Sequence, residues 1–174
     1  MSELKICHLY PEVLNLYGDR GNILCMTKRL QWRGIRTEVT RVGIGDGTAL
    51  ADFDLFFIGG GQDFEQEVLL EDLKAGKGEE ICAAVKDGKT FLTICGGYQM
   101  MGHYYQTYDG VKCEFLGAAD FYTVGGEKRM IGNYAFQEGC LRRTAGSDIF
   151  RSPNLTEPHP ISFRKYMTVC RRKG

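Results

Sequence analysis

The chain has 174 residues, of which 43% are apolar and 25% are charged, so it can bury the core of one domain but is short for two. Its 22 Lys and Arg residues balance 22 Asp and Glu residues, and this balance argues against a nucleic-acid partner. The sequence starts with charged residues and has no apolar run of about 18 residues, which predicts no signal peptide and no membrane span. Its seven cysteines include no Cys-x-x-Cys pair, and free thiols of this kind predict a reducing, cytoplasmic location.

Strand and helix patterns alternate along the first 105 residues. In chain order, they predict a strand over 4–9, a turn over 18–22, a helix over 23–34, strands over 35–42 and 53–58, helices over 62–73 and 79–86, a strand over 90–94 and a helix over 98–105. A hairpin turn at 109–110 and strands over 111–116 and 128–136 follow. The alternation predicts an α/β fold with a largely parallel sheet.

Ligands of such sheets bind at the carboxyl ends of the strands, where Cys95 lies at a turn from strand to helix. A sharp turn of this kind holds the sulfur over the edge of the sheet, as in the nucleophile elbow of hydrolases. Gly96 and Gly97 permit the tight backbone, and the helix N-terminus favours the nucleophilic thiolate. The amide of Gly96 would face a developing oxyanion. We therefore predict that Cys95 is a nucleophile, whereas most of the other six cysteines are expected to be core residues.

Three consecutive glycines at positions 59–61 follow another predicted buried strand. Their amides form a natural cradle for an anion, although the G-x-x-x-x-G-K-[ST] pattern of a P-loop is absent from the sequence. A flexible loop between strand and helix is the alternative. Beside a nucleophile on a nearby strand, the triplet is a candidate donor of hydrogen bonds to an oxyanion.

The sequence CGGYQ at residues 95–99 is similar to the C-x-G-x-Q signature of class I glutamine amidotransferases. Further segments resemble the cobyric-acid-synthase-type (CobB/CobQ-like) subgroup, and within it the amidotransferase subunits of lipid II isoglutaminyl synthases; these segments are 9–22, 59–66 and 129–134. Four motifs in the same order make the resemblance specific over residues 4–137. Thr93 departs from the pattern, since the family often has glycine at that position.

The resemblance implies a flavodoxin-like layered fold, with a mostly parallel sheet flanked by helices, and the hydrolysis of glutamine by a covalent route. Cys95 would attack the side-chain amide of glutamine, which gives a thioester and ammonia. The backbone amides of Gly60 or Gly61 and of Gly96 would hold the oxyanion.

The same resemblance implies two residues that bind the substrate, and a partner. Arg129 would pair with the α-carboxylate of glutamine, a task that suits a bidentate guanidinium, and Gln99 would shape the pocket; an ordinary surface arginine is the alternative for Arg129. Ammonia would pass to a Mur-ligase-like (MurT-type) subunit of a heterodimer, which amidates the D-glutamate of lipid II to D-isoglutamine in peptidoglycan synthesis. Because the sequence has no nucleotide-binding motif, ATP and Mg are expected on that partner, and neither a cofactor nor a metal is expected on this chain.

Residues 138–174 differ from the rest of the chain. They carry 8 Lys and Arg against 3 Asp and Glu, a local charge of +5, whereas residues 1–137 carry 14 against 19, a charge of −5. Strand or helix periodicity is absent except over 161–169. We therefore predict a truncated amidotransferase domain over residues 1–137 with an incomplete C-terminal part, and interpret the basic tail as frame-shifted or otherwise truncated and outside the core. Reading the other coding frames after residue 137 tests this.

The family's late histidine, which serves as its general base, has no counterpart among the three histidines of the chain. His8 is expected to be a packed residue at the end of a strand. His103 is separated from Cys95 by a helical rise of about 12 Å, and His159 lies between two prolines. Loss of a general base costs about 10²- to 10⁴-fold in rate, so impaired catalysis is expected.

Two other classes of function compete with a glutaminase subunit. One is a non-catalytic module that docks on the ligase and senses glutamine, with binding that Cys95→Ala leaves unchanged. The other is a different cysteine hydrolase on the same fold, such as a peptidase, whose activity need not depend on Arg129. For the acceptor of ammonia, the alternative is a corrinoid, the substrate class of other members of the subgroup.

Overall fold

The computed structural model describes residues 3–15, 19–61, 63–126, 134–138, 141–145, 161–164 and 167–170. The alternating part of the chain comprises β1 (Glu3–Leu9), α1 (Asp19–Gln31), β2 (Arg36–Val42), β3 (Leu55–Ile58), α2 (Asp63–Asp72), a π-helical turn (Leu73–Lys77), α3 (Gly78–Lys86), β4 (Thr90–Ile94) and α4 (Gly96–Met101). Shorter strands follow: β5 (Tyr104–Gln106), β6 (Lys112–Glu114), β7 (Thr123–Val124), β8 (Tyr134–Glu138), β9 (Leu141–Ala145), β10 (Ile161–Arg164) and β11 (Met167–Cys170).

The main sheet has six strands in the order β10-β11-β4-β3-β1-β2. Strands β4, β3, β1 and β2 pair in parallel, whereas β11 is antiparallel to β4 and to β10. Two smaller sheets have the orders β6-β5-β7 and β8-β9. The predicted α/β fold with a mostly parallel sheet is confirmed.

Helices cover both faces of this sheet. Because alternate residues of each strand point in opposite directions, each strand contributes side chains to both faces. On one face, Ile6 of β1 packs in a buried cluster with Ile23 of α1. On the other face, Cys7 and Leu9 belong to a larger cluster that includes apolar residues of α2, α3 and α4. This arrangement is the flavodoxin-like layering that the family resemblance implies.

The register of the parallel strands brings three loops to one edge of the sheet. Leu9 pairs with Ile58, and Ile58 pairs with Thr93, so β1, β3 and β4 end at nearly the same level. The segments that follow them therefore emerge side by side, about 4.8 Å apart from strand to strand. This edge contains both motifs that carry the predicted chemistry.

Three expectations differ from the structure. A turn was predicted over 18–22, but α1 already begins at Asp19. The helix predicted over 98–105 ends at Met101, because Gly102 is extended (φ −79°, ψ −176°) and residues 104–106 form β5. Finally, part of the C-terminal tail lies in the main sheet, since β11 pairs with β4.

Three strands lie within the described part of the tail. The strands β10 and β11 fall at residues 161–169, where the sequence showed periodicity, whereas β9 lies where the sequence showed none. Strands β10 and β11 have four residues each, too few for a pattern to show which neighbour each pairs with. The division of the chain at residue 137 and the frame-shifted origin of the tail stay predictions. Within the described ranges, no helix has the length and apolar character needed to cross a membrane.

Candidate active site

Cys95 occupies a sharp bend between β4 and α4. Its backbone has φ 45° and ψ −111°, and only one other non-glycine residue in the described part of the chain has a positive φ, Tyr10. A positive φ is strained for a residue with a side chain and is typical of a nucleophile elbow. The Cys95 carbonyl accepts the amides of Tyr98 and Gln99 at 2.9 and 3.0 Å, which starts the helix.

The side chain of Cys95 is partly buried and packs against the cluster between the sheet and α1. It therefore lies at the edge of the apolar interior and not inside it. This is the position that the elbow prediction required.

The glycine loop 59–61 lies directly against this elbow. A Cβ placed on Gly97 would be 2.6 Å from the carbonyl oxygen of Gly59 and 2.7 Å from Cγ2 of Ile58. The first turn of α4 thus contacts the end of β3 with no room for a side chain. The two predicted motifs are neighbours in space, as the sheet topology requires.

A buried carboxylate accepts a hydrogen bond from the glycine loop. Asp19, in the first turn of α1, is 1% exposed, and its Oδ2 accepts the backbone amide of Gly60 at 3.1 Å. Gly59 is confined as well, because a Cβ there would be 2.0 Å from the carbonyl oxygen of Leu14 and 3.0 Å from Cγ of Asp19. The loop after β1, the start of α1 and the loop after β3 therefore form one packed unit.

This contact bears on the predicted oxyanion donors. The amide of Gly60 donates to Asp19, so in this arrangement it does not serve a substrate oxygen. Gly61 and Gly96 stay the predicted donors. Gly96 is the first residue of α4, where a helix leaves its backbone amides without intrahelical acceptors.

The role of Asp19 was missed in the sequence, although the residue belongs to one of the quoted motifs. Its partner amide is 41 positions away along the chain, and the polar, glycine-containing segment predicted only a turn. A signal was nevertheless present, because an acidic residue before a helical pattern is favoured in the first turn of a helix.

The structure describes only one of the two predicted substrate-binding residues. Gln99 is 2% exposed, and it lies one helical turn after Cys95, beneath the elbow. Its side chain is thus part of the packing under the site. Arg129 lies outside the residues that the structure describes, so its pairing with a substrate carboxylate stays a prediction.

His8 is a packed strand residue, as predicted. It is 3% exposed, and its ring meets Phe57 edge-on, with centroids 5.2 Å apart. Burial, and then the charge of Arg41, lowers the pKa of His8 to about 4. Because β3 separates β1 from β4, His8 lies about 10 Å to the side of the strand that carries Cys95.

His103 follows the C-terminal end of α4, the end opposite to Cys95. Its Nε2 lies 3.1 Å from Oδ1 of Asp120, and half of its side chain is exposed. The third histidine, His159, lies outside the described residues. Both described histidines are therefore displaced from the elbow, in agreement with the expectation that neither is the base.

Of the four other cysteines whose burial the structure describes, only Cys7 is buried, while Cys25 is exposed and Cys82 and Cys113 are partly buried, so the expectation that most of them are core residues is wrong for these four. Burial raises the pKa of Cys7 to about 12, and burial also raises the pKa of Cys82, so both thiols are poor nucleophiles at neutral pH. Cys25 is exposed on α1. Among the described residues, no group of three His, Cys, Asp or Glu side chains could hold a metal ion.

Known proteins resemble this chain over most of its length. A sequence model of the CobB/CobQ-like glutamine amidotransferase domain matches residues 5–149. The chain is 40% identical over 146 residues, 84% of its length, to subunit GatD of the lipid II isoglutaminyl synthase (glutamine-hydrolyzing) of Staphylococcus aureus strain N315. It is 39% identical over 132 residues, 75% of its length, to the subunit of the same name from Streptococcus pneumoniae strain R6.

The aligned regions cover 60% and 50% of these two relatives, so the chain spans between half and three fifths of their length. The family match includes the elbow, the glycine loop and the motif that contains Asp19. The chain belongs to the family of CobB/CobQ-like glutamine amidotransferase domains.

Proposed function

We propose that this chain is a glutaminase subunit that hydrolyses glutamine through a thioester on Cys95 and supplies ammonia for the amidation of lipid II. The observation that carries the proposal is the contact between the Cys95 elbow and the glycine loop at the carboxyl edge of the parallel sheet. A nucleophile beside backbone amides is the arrangement that acyl transfer requires.

The proposed reaction has two halves. The thiolate of Cys95 adds to the side-chain carbonyl carbon of glutamine, and the resulting oxyanion accepts hydrogen bonds from the amides of Gly61 and Gly96. The C–N bond then breaks, and the nitrogen takes up a proton and leaves as ammonia. Water hydrolyses the thioester, which releases glutamate and restores the thiol. Asp19 takes part only as a positioning residue that fixes the glycine loop.

Recognition of the substrate is assigned to two residues. The Arg129 guanidinium would pair with the α-carboxylate of glutamine through two hydrogen bonds, and the buried Gln99 would support the wall of the pocket beneath the elbow. An Arg129→Ala variant should therefore lose affinity for glutamine, whereas a peptidase on the same fold would not require this side chain.

The names of the relatives support lipid II as the acceptor, since each is a subunit of a lipid II isoglutaminyl synthase, and the identity of the partner is proposed from the family resemblance. In the proposed heterodimer, a Mur-ligase-like subunit binds ATP and Mg and activates the D-glutamate carboxylate of lipid II. Ammonia from this chain converts that carboxylate to the amide of D-isoglutamine. Both steps would take place in the cytoplasm.

Comparing glutamine with ammonium as the nitrogen source separates glutamine hydrolysis by this chain from amidation by the ligase subunit. With the ligase subunit, lipid II and ATP, we expect the unaltered chain to support amidation from ammonium, and also from glutamine at a reduced rate, because the family's late histidine has no counterpart in the sequence. Cys95→Ser should abolish glutamine-driven amidation and glutamate release but retain amidation from ammonium. Cys25→Ser, which alters an exposed thiol on α1, is the matched control. Glutamate release by Cys95→Ser at the unaltered rate would contradict the proposal.

A non-catalytic docking module is the second candidate. The observation that favours it is the displacement of both described histidines from the elbow, which leaves Cys95 without either of them as a general base. This candidate predicts no glutamate release with or without the ligase subunit, and ligase binding that is equal for the unaltered chain and Cys95→Ala.

A further inference from the structure

The outer face of α1 exposes two large apolar side chains. Leu24 is 69% exposed and Trp32 is 71% exposed, while the inner face of the helix buries Ile23 against the sheet. The amide of Trp32 donates to the carbonyl of Lys28 at 3.0 Å, so the helical path continues through Trp32. Leu24, Lys28 and Trp32 are each four residues apart and form one stripe along the helix.

The charge around this stripe has a single sign. Residues 20–37 contain five basic side chains and no acidic one, and the five are exposed. We define the α1 patch as Leu24 and Trp32 together with Arg20, Lys28, Arg29 and Arg33. Ion pairs in the described part of the chain involve none of these basic residues.

The opposite layer has the opposite charge. Residues 63–87, which form α2, the π-helical turn and α3, contain 8 Asp and Glu against 3 Lys and Arg. These helices pack on the other face of the sheet. The α1 side of the sheet is therefore basic and the opposite side is acidic. An extended anionic surface would orient the domain so that α1 faces that surface.

Helix stability explains only part of this pattern. Basic residues near the C-terminus of α1 favour its dipole, and Arg33 donates from Nη1 to the carbonyl of Arg29 at 2.9 Å. This effect gives no reason for leaving Leu24 and Trp32 in water between the basic side chains. Tryptophan and leucine among lysines and arginines are the composition of helices that lie in the headgroup region of an anionic membrane.

We propose that the α1 patch binds the surface of an anionic lipid bilayer, with α1 parallel to the membrane plane. Leu24 and Trp32 are about 12 Å apart along the helix, so both can enter the headgroup region together. The long stems of Lys28 and Arg29 let their charges reach lipid phosphates beside them. A convex face with lysine at its centre fits a bilayer better than a protein groove, because lysine is depleted from protein interfaces.

The only tryptophan of the chain is Trp32, so intrinsic fluorescence reports directly on the patch. The full chain is titrated with vesicles of phosphatidylcholine and phosphatidylglycerol, and with vesicles of phosphatidylcholine alone. We expect a blue shift of Trp32 emission, and co-sedimentation, only with the anionic vesicles. Both effects should be reversed at about 0.5 M salt, where charges are screened within a few ångströms.

Two double variants of equal charge change provide the control. Lys28→Glu/Arg29→Glu alters the α1 patch, whereas Lys74→Glu/Lys86→Glu alters exposed residues of the opposite layer. Each basic side chain near an anionic surface contributes roughly fivefold in affinity, so the first pair should weaken vesicle binding by at least about 20-fold. The second pair should bind like the unaltered chain, and thermal unfolding confirms that both variants fold.

Several results would overturn the proposal: no blue shift of the unaltered chain with anionic vesicles, equal binding to both vesicle types, or equal weakening by the two double variants. A blue shift that occurs only when a ligase subunit or another protein is added would assign the patch to a protein partner instead. None of these results touches the glutaminase proposal, which depends on the carboxyl edge of the parallel strands and not on the outer face of α1.

Discussion

The carbonyl oxygen of Gly59 stands where a side chain of Gly97 would begin, since a Cβ on Gly97 would approach that oxygen to 2.6 Å. This close approach seats α4 on the end of β3 and brings the glycine loop beside Cys95. It also gives a physical reason for the glycine two positions after the cysteine in the C-x-G-x-Q signature. Only a hydrogen atom fits between the two backbones.

Gly97→Ala should therefore destabilise the fold. The obstructing atoms belong to the backbone, with the carbonyl oxygens of Gly59 and Ile58 at 2.6 and 2.9 Å from the added Cβ, so the loop and helix must separate. We expect the free energy of unfolding to fall by about 2–3 kcal/mol, measured by urea denaturation.

The matched control is Gly21→Ala, in α1, where an added Cβ has nothing within 4 Å. Alanine is a better helix former than glycine, so this variant should be more stable by about 0.5–1 kcal/mol. Equal destabilisation of the two variants would show that the contact between Gly97 and Gly59 does not limit substitution.

Asp19→Ala should disorder the glycine loop. The variant leaves the buried amide of Gly60 without its acceptor at 3.1 Å, which costs about 1–3 kcal/mol. If the loop supports the oxyanion, the reaction of Cys95 with an electrophilic glutamine analogue should slow at least about tenfold. The reaction with iodoacetamide, which forms no oxyanion, should change much less.

Asp19→Asn tests whether Asp19 acts by positioning the glycine loop, because the side-chain oxygen of asparagine can still accept the Gly60 amide. We expect this variant to recover most of the analogue reactivity. A general structural defect would instead slow both reagents alike and would show no recovery in the asparagine variant.

His8 should make stability depend on pH. Its folded pKa is about 4, against about 6.5 in an unfolded chain, so the unfolded state binds more protons between these values. Its contribution is complete above about pH 6.5 and is lost as the pH falls towards 4, by roughly 2–3 kcal/mol at pH 4.5. Urea denaturation of the unaltered chain and of His8→Leu, at pH 7 and 4.5, measures the difference. Parallel losses in the two proteins would contradict a neutral, buried His8.

Much of the fold could be predicted from local patterns. The apolar runs that end in glycine, at 53–61 and 90–97, became the buried strands β3 and β4. Since parallel strands share one carboxyl edge, the proximity of Cys95 to the glycine loop followed without knowledge of any contact. The composition of a single segment was sufficient in each case.

Long-range contacts were beyond such patterns. Nothing in the sequence around Asp19 shows that its carboxylate reaches an amide 41 positions away, and so the engagement of Gly60 could not be foreseen. The end of α4 was misplaced for a related reason, because the extended backbone at Gly102 lets His103 donate its amide to the carbonyl of Phe121 at 2.8 Å. A tertiary contact of this kind overrides helical periodicity.

The most direct test of the nucleophile is covalent labelling of the full chain by an electrophilic glutamine analogue, located by mass spectrometry. We predict one adduct, on Cys95, that excess glutamine prevents and that Cys95→Ala abolishes, while Cys25→Ser leaves it unchanged. Labelling that persists in Cys95→Ala, or that is found on the exposed Cys25 instead, would contradict the account.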